Sequence, residues 1–348
     1  NACLLPLVLC DGTAVTTVEG IGCASRLHPV PERIAGMNGS QCGWCTPGQV
    51  MSMYSLLQEN KAPSAQEVEA CLEGNLCRCT GYRGIHAAFH TFAGKEAKTC
   101  VDGFKPDFAA YTGENEPEFP EELKHYMPNQ PLFASDQSQT TKWYGILELA
   151  QWAQVCQEAK PSKPRVVVGN TSVGVFGHKV GKVINVDVTR VKELQGTRKE
   201  ADGSFVVGGA ESLNSLIAAL KGGNVAQQTL AGALSKIANN NVRNSGGWAG
   251  NLVMGRVLLF PSDGAVLLSA FGACVTVAFA EGGNVHQKST DIGDFIQDSD
   301  LDNHNYLLIS LKIPAITAKF NAFRQSSHKV NTHALANAAF RTEIDGTG

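Results

Sequence analysis

The chain lacks any large excess of charge of one sign: 29 lysines and arginines face 32 aspartates and glutamates, a formal net charge of -3 at pH 7. No overall basic field draws it to nucleic acid or to an anionic membrane surface. It also lacks a long apolar run. The longest uncharged apolar stretch, Ala265 to Ala280, is 16 residues with a glycine inside it, short of the roughly 20 residues that a spanning helix needs. There is no initiator methionine at Asn1, and no basic segment leading into an apolar one as in a secretory leader. The expectation is a fragment without a membrane partner.

Cysteine is not scarce. Of 11 cysteines, eight fall in the first 79 residues and only Cys100, Cys156 and Cys274 follow. Clustered, short-spaced pairs in a long chain point to a metal site in a reducing compartment rather than to a disulfide framework. The expected compartment is the cytoplasm, with the peroxisome as a variant. A length of 348 residues accommodates two or three domains with cores of their own.

Residues 1–22 read as two short β segments, Leu4 to Leu9 and Ala14 to Glu19, joined at Asp11-Gly12. Two strands do not make a stable unit, so they look like the remnant of a larger domain. Residues 23–95 read as four short helices. Pro29-Val-Pro31 precedes the first, Thr46-Pro47 opens the second, Ser64 and Glu67 form a capping box for the third, and Tyr82 to Phe92 gives the fourth. Residues 96–140 read as a linker crossing the surface, with Pro106, Pro117, Pro120, Pro128 and Pro131 and an acidic run from Glu114 to Glu122. Residues 141–315 mix strand candidates (Arg165 to Val168, Val183 to Val186, Ser204 to Val207, Cys274 to Ala278) with helical ones (Ile146 to Glu158, Leu213 to Leu220, Ala226 to Ala238), a mixed α and β pattern. Residues 316–348 would begin a further subdomain.

Two features carry chemistry. Cys42-Gly-Trp-Cys45 is followed, after 31 residues, by Cys77-Arg-Cys79. Each pair follows a glycine-containing loop and precedes a helix, so four thiolates can converge where helix N-termini offer N–H donors to sulfur. Structural zinc also accepts four cysteines, and on spacing alone both metals stay open. The second feature is a pair of glycine-rich loops. Val166-Val-Val-Gly-Asn-Thr-Ser-Val-Gly174 runs from a β-branched strand into a Gly-Asn turn with free backbone N–H groups, suited to a pyrophosphate. Val242-Arg-Asn-Ser-Gly-Gly-Trp-Ala-Gly-Asn-Leu252 follows it, with Phe260-Pro-Ser-Asp263 beyond.

Gly39-Ser-Gln-Cys-Gly-Trp-Cys-Thr-Pro-Gly48 and Glu73-Gly-Asn-Leu-Cys-Arg-Cys-Thr-Gly-Tyr-Arg83 resemble the helical 2Fe-2S domain of the xanthine dehydrogenase and aldehyde oxidase family, the molybdenum hydroxylases. The resemblance implies a cluster on Cys42, Cys45, Cys77 and Cys79 nearest the molybdopterin centre, with Gln41 approaching the pterin. Asn1-Ala-Cys-Leu4 and Ala14 to Gly22 resemble the end of the family's plant-type ferredoxin domain. Cys3 would then be the fourth ligand of a second cluster whose other three ligands are not in this chain. Cys10, Cys23 and Cys71 match no ligand and read as buried small hydrophobes.

From about Glu118 onward the chain resembles the family's FAD domain, an α+β fold of vanillyl-alcohol-oxidase type. That implies Val167, Gly169, Asn170, Thr171 and Ser172 along the pyrophosphate and Gly250 and Asn251 on the second loop. It also implies Asp263 at a hydroxyl of the sugar chain, Ile237 beside the isoalloxazine and Arg324 at the flavin end. Gly247 stands where the family has a hydroxyl residue and Ala249 where it has a glycine, which implies weaker FAD binding. Asn251 to Asp263 is longer than in animal xanthine dehydrogenases and nearer plant aldehyde oxidases. The implied activity is electron transfer from a molybdopterin domain, not included in the chain, through 2Fe-2S to FAD and on to NAD or O2, in a homodimer. No residue of this portion is implied to be catalytic. The alternatives are a non-enzymatic zinc-binding interaction module and, among enzymes, a bacterial carbon monoxide or nicotinate dehydrogenase, whose modules are separate subunits.

Overall fold

The computed structural model describes residues 2–93, 107–114, 116–177 and 182–343. The chain divides into two units, one of Cys10–Met127 and one of Asn1–Leu9 with Pro128–Gly348. In the first unit, helix starts follow the local chemistry. α1 (Pro29–Gly36) begins where His28 Nδ1 accepts the Val30 N–H at 3.2 Å. α2 (Thr46–Glu59) carries Pro47 in its first turn, where the missing N–H is no loss. α3 (Ala65–Cys71) has the expected capping box: Glu67 N–H donates to Ser64 Oγ at 3.3 Å and Ser64 N–H to Glu67 Oε2 at 2.8 Å. α4 (Arg83–His90) starts after Tyr82, held at φ +66°. Val30, Ile34, Val50, Met53, Leu57, Val68, Ile85 and Phe89 meet in one core, each 3% exposed or less. Each such side chain contributes about 1.5–3 kcal/mol of apolar burial.

Three expectations change here. The β segments at residues 4–9 and 14–19 do not form; Leu7–Cys10 and Val18–Gly20 are single 3₁₀ turns instead, and Leu7 is 86% exposed. A β-branched run becomes a strand only where another strand pairs its backbone, and none does here among the described residues. Cys71 is buried as expected, its thiol pushed up to about 12 by desolvation, but Cys10 is only half-buried and Cys23 is exposed, 3.2 Å from Ser25 Oγ. The described part of the presumed linker is also not a free crossing. Arg33 Nη2 donates to Ala109 O at 2.8 Å, and Glu116 Oε1 receives Tyr111 OH at 2.6 Å and His28 Nε2 at 3.0 Å. Prolines erase the periodicity of this stretch while its aromatic and acidic side chains still find partners. Residues 96–106 lie outside the described residues; α5 (Glu121–Lys124) follows.

In the second unit, β1 (Leu132–Ser135) lies inside the stretch read as linker and pairs antiparallel with β2 (Thr141–Gly145). After α6 (Leu149–Glu158) come β3 (Arg165–Val167), the short α7 (Val173–Phe176) and β4 (Val183–Asp187). They complete a sheet ordered β1-β2-β4-β3, with β2, β4 and β3 parallel. A second, antiparallel sheet is ordered β5 (Thr197–Lys199), β6 (Phe205–Gly208), β9 (Asn305–Ile313), β7 (Cys274–Glu281) and β8 (Asn284–Asp291). Five helices lie in sequence between β6 and β7: α8 (Leu213–Lys221), α9 (Val225–Leu234), α10 (Asn240–Ser245), α11 (Trp248–Val257) and α12 (Asp263–Phe271). α13 (Ile292–Gln297) follows β8, and the hairpin β10 (Lys319–Ser326)–β11 (Ala334–Thr342) closes the described chain. Side chains of β7 and β9 enter two cores. Val275, Val277, Leu308 and Leu311 pack with the helices, while Ala278, Leu307 and Ile309 pack with Trp152 and Val186.

Candidate cofactor sites

The four cysteines are brought together by two tight loops. Gly43, at φ +83°, turns the chain between Cys42 and Cys45 and leaves Cys45 as the N-cap residue of α2. Gly74 and Gly81, at φ +90° and +60°, bracket Cys77 and Cys79, backbone states open to glycine at little cost. Tyr82 OH braces the second loop, accepting the Cys77 N–H at 2.8 Å and donating to Asn75 O at 3.1 Å. Gln49, fully buried, donates to the same carbonyl at 2.8 Å.

The four thiols lie close enough to perturb one another. Burial raises the Cys45 pKa and contact with Cys77 adds to the rise. The neighbouring Cys42 thiol is the largest cause of the raised Cys79 pKa. Cys77 itself is pulled down to about 7, mainly by Thr80, whose Oγ1 lies at 3.0 Å and whose N–H donates at 3.4 Å to its sulfur. Four thiolates drawn from two loops are the protein donor set of a 2Fe-2S cluster, two sulfurs to each iron. The donor set therefore fits a 2Fe-2S cluster. Trp44, between Cys42 and Cys45, is 92% exposed, and Gln41 is exposed beside it. Cys3 is exposed and belongs to the other unit.

In that other unit a cavity of about 830 Å³ opens between the β3–α7 turn and the N-termini of α11 and α12. Its volume lies in the range of small-molecule and cofactor pockets. All ten residues expected at a flavin nucleotide line it: Val167, Gly169, Asn170, Thr171, Ser172, Ile237, Gly250, Asn251, Asp263 and Arg324. The two glycine loops touch directly. A Cβ on Gly169 would sit 1.7 Å from Ser245 O, and one on Gly246 would sit 3.0 Å from Thr171 Oγ1. Asn170 adopts φ +55°, a left-handed state, and Ser172 a right-handed one at the N-cap of α7. Among the described residues no acceptor meets the N–H groups of Asn170, Thr171 and Ser172. Unpaired donors lining a cavity fit the diphosphate of FAD.

The flavin end differs from expectation in one respect. Arg324 Nε donates to Asp263 Oδ2 at 2.8 Å, Asn337 donates to Asp263 Oδ1, and Arg324 Nη2 donates to Thr332 O at 2.5 Å. Both oxygens of Asp263 are engaged, so this carboxylate holds Arg324 in place besides any hydroxyl it receives. Asn251 Oδ1 accepts from Ser262 Oγ at 2.6 Å, and the same hydroxyl caps α12 through Ala265 N–H at 2.9 Å. Gly247 is the N-cap residue of α11 without a side chain to cap it. Ile237 lies beyond α9, which ends at Leu234 short of the expected Ala238, and belongs to the hydrophobic core and to the cavity wall at once.

Several cavity residues escaped the sequence reading. Arg256 donates to Asp302 Oδ1 at 2.8 Å and to Tyr306 OH at 3.2 Å. Phe260 lies 5.0 Å from His333 and 6.1 Å from Phe176, ring centre to ring centre. Arg165 holds Asn170 and Asn185. An isolated arginine at a strand start carries no motif; only its place one strand-length before the Gly-Asn turn hinted at a role.

A four-cysteine site on two loops and a cofactor-sized cavity in one chain fit an iron–sulfur flavoprotein. Residues 17–90 match the family of [2Fe-2S] binding domains, and residues 138–316 match the FAD binding domain in molybdopterin dehydrogenase. The chain belongs to this molybdopterin dehydrogenase family. It is 36% identical, over 84% of its length, to xanthine dehydrogenase of Drosophila subobscura, and 29% identical, over 98% of its length, to abscisic-aldehyde oxidase of Arabidopsis thaliana. It spans only about a quarter of these relatives, 24% and 27% of their lengths. Among solved structures it is similar to a carbon monoxide dehydrogenase from Hydrogenophaga pseudoflava, with 19% identity, a TM-score of 0.49, and coverage of 59% of this chain and 69% of that one.

Proposed function

We propose that the chain is the electron-transfer portion of a molybdenum hydroxylase of xanthine dehydrogenase or aldehyde oxidase type, an oxidoreductase in its full-length form. Cys42, Cys45, Cys77 and Cys79 hold a 2Fe-2S cluster, and the ten cavity residues hold FAD. Bound at these places, the cluster would carry electrons singly and the flavin would pass them on in pairs. The chain's own residues bind and orient. Gly43, Gly74 and Gly81 shape the thiol loops, the Asn170–Ser172 N–H groups receive phosphate, and the Asp263-held Arg324 fixes the flavin end. The helical domain takes residues 23–95, with 141–315 and 316–348 as the two parts of an FAD domain of vanillyl-alcohol-oxidase type. Residues 1–22 end a ferredoxin-like domain in which Cys3 is a ligand. The partners are a molybdopterin domain, a second copy of the protein, and NAD or O2 as acceptor. Thiolate ligands suit the reducing cytoplasm, or the peroxisome.

The observation that carries this reading is the gathering of four thiols by two glycine-bent loops in the same chain as a cavity lined by unpaired backbone donors. The test is a visible spectrum of the purified chain with iron and flavin analysis. Red-brown cluster absorbance with a yellow flavin component supports it; a colourless protein with stoichiometric zinc overturns it in favour of a zinc-binding module.

A further inference from the structure

Arg165 opens β3, lines the cavity and lies five residues before Asn170 in sequence. Nε donates to Asn185 Oδ1 at 2.9 Å and Nη2 to Asn170 Oδ1 at 2.6 Å. Both acceptors are neutral amides. Burial alone lowers the Arg165 pKa, with no neighbouring charge contributing. No carboxylate among the described residues pairs with it, and Nη1 meets no acceptor there. A guanidinium withdrawn from water without an anion is costly, and one facing an arriving anion is not.

The same contacts lock the phosphate turn. Asn170 Nδ2 donates to Leu4 O at 3.0 Å while its Oδ1 is held by Arg165. With both ends of its amide engaged, Asn170 keeps its left-handed backbone, and the N–H groups of the turn stay oriented. We propose that Arg165 is a cofactor-binding residue in its own right: Nη1 supplies the cationic partner of the FAD diphosphate while Nε and Nη2 hold Asn185 and Asn170. This rests on the flavin reading of the cavity.

The test uses the full chain stripped of flavin and titrated with FAD at several salt concentrations. Arg165→Met keeps an unbranched apolar stem and removes the charge. Its FAD dissociation constant should rise about tenfold or more at low salt, and the salt dependence of binding should flatten because one charge pair is gone. Arg165→Lys, which keeps the charge and loses the planar fork, should fall between the two and keep the wild-type salt dependence. Arg165→Gln is the replacement should the methionine variant not fold, with the same expectations. An uncharged variant that binds FAD as tightly as wild type, or that loses affinity while keeping the wild-type salt dependence, overturns the assignment. A wild-type chain that binds no FAD overturns the flavin reading itself, and this assignment with it.

Discussion

Arg324 and Asp263 form an ion pair at 2.8 Å with side chains only 10% and 9% exposed. The pair joins β10 to the N-terminus of α12, and Asn337 on β11 donates to the second oxygen of the same carboxylate. Removing one partner strands a buried charge, which costs about 3–5 kcal/mol. Asp263→Ala should therefore lower the denaturation midpoint of the flavin-free chain as well as weaken FAD. If the flavin-free midpoint stays unchanged, Asp263 acts on the ligand alone.

Gly169 is needed before any ligand arrives. Its added Cβ would collide with Ser245 O at 1.7 Å, a backbone atom with no room to turn aside. Gly169→Ala should destabilise the flavin-free protein by about 1–3 kcal/mol or more, read by chemical denaturation. The larger Gly169→Val would show loss of FAD binding chiefly because the two loops no longer close.

Gly247→Ser restores a hydroxyl at an N-cap position. The backbone there, φ −76° and ψ 145°, suits serine, and the new Cβ would lie 3.3 Å from Val168 Cγ1, so a small shift is needed. Serine exceeds glycine at N-caps by only a few tenths of a kcal/mol. The expected outcome is a nearly unchanged melting temperature with tighter FAD binding, measured by flavin fluorescence titration.

Cys42→Ser and Cys79→Ser should each bleach the iron–sulfur absorbance and cut the iron content. Cys71→Ser should retain iron, because Cys71 is a buried thiol against Val68 O at 3.2 Å and is not one of the four expected ligands. Full iron in either of the first two variants would refute the ligand set.

Acid should loosen the helical unit through Glu116. Desolvation raises this carboxyl's pKa, but the hydrogen bonds from Tyr111 and His28 outweigh it and the net value is lowered. A lowered carboxyl stabilises above its unfolded value, about 4.3, and that stabilisation is lost as pH falls through the lower folded value. Glu116→Gln should flatten the acid limb of the stability curve followed by circular dichroism.

The helical unit was legible because its signals are local. Pro47, the Ser64–Glu67 box and the cysteine spacing each act within a few residues, and each is where the sequence places it. The cavity residues were legible through the two glycine loops. Pairings that depend on distant chain were not. β1 and β2 are short and find each other across a turn rich in serine and glutamine, and β8 carries only His, Gln, Lys, Ser and Thr between Val285 and Asp291. Arg256 and Asp302 meet 46 residues apart, a contact that no periodicity announces. At the other end of the scale, Leu4 to Leu9 is apolar enough for a strand and makes none, because strand propensity is realised only by a partner.

The split of the cysteines between two loops bears on maturation. Cys42 and Cys45 lie on one loop and Cys77 and Cys79 on another, with 31 residues between Cys45 and Cys77, so a group bound by all four would staple two distant segments together. Such a staple removes loop-closure entropy from the unfolded chain, and its removal should loosen the segment from Thr46 to Leu76 as one piece.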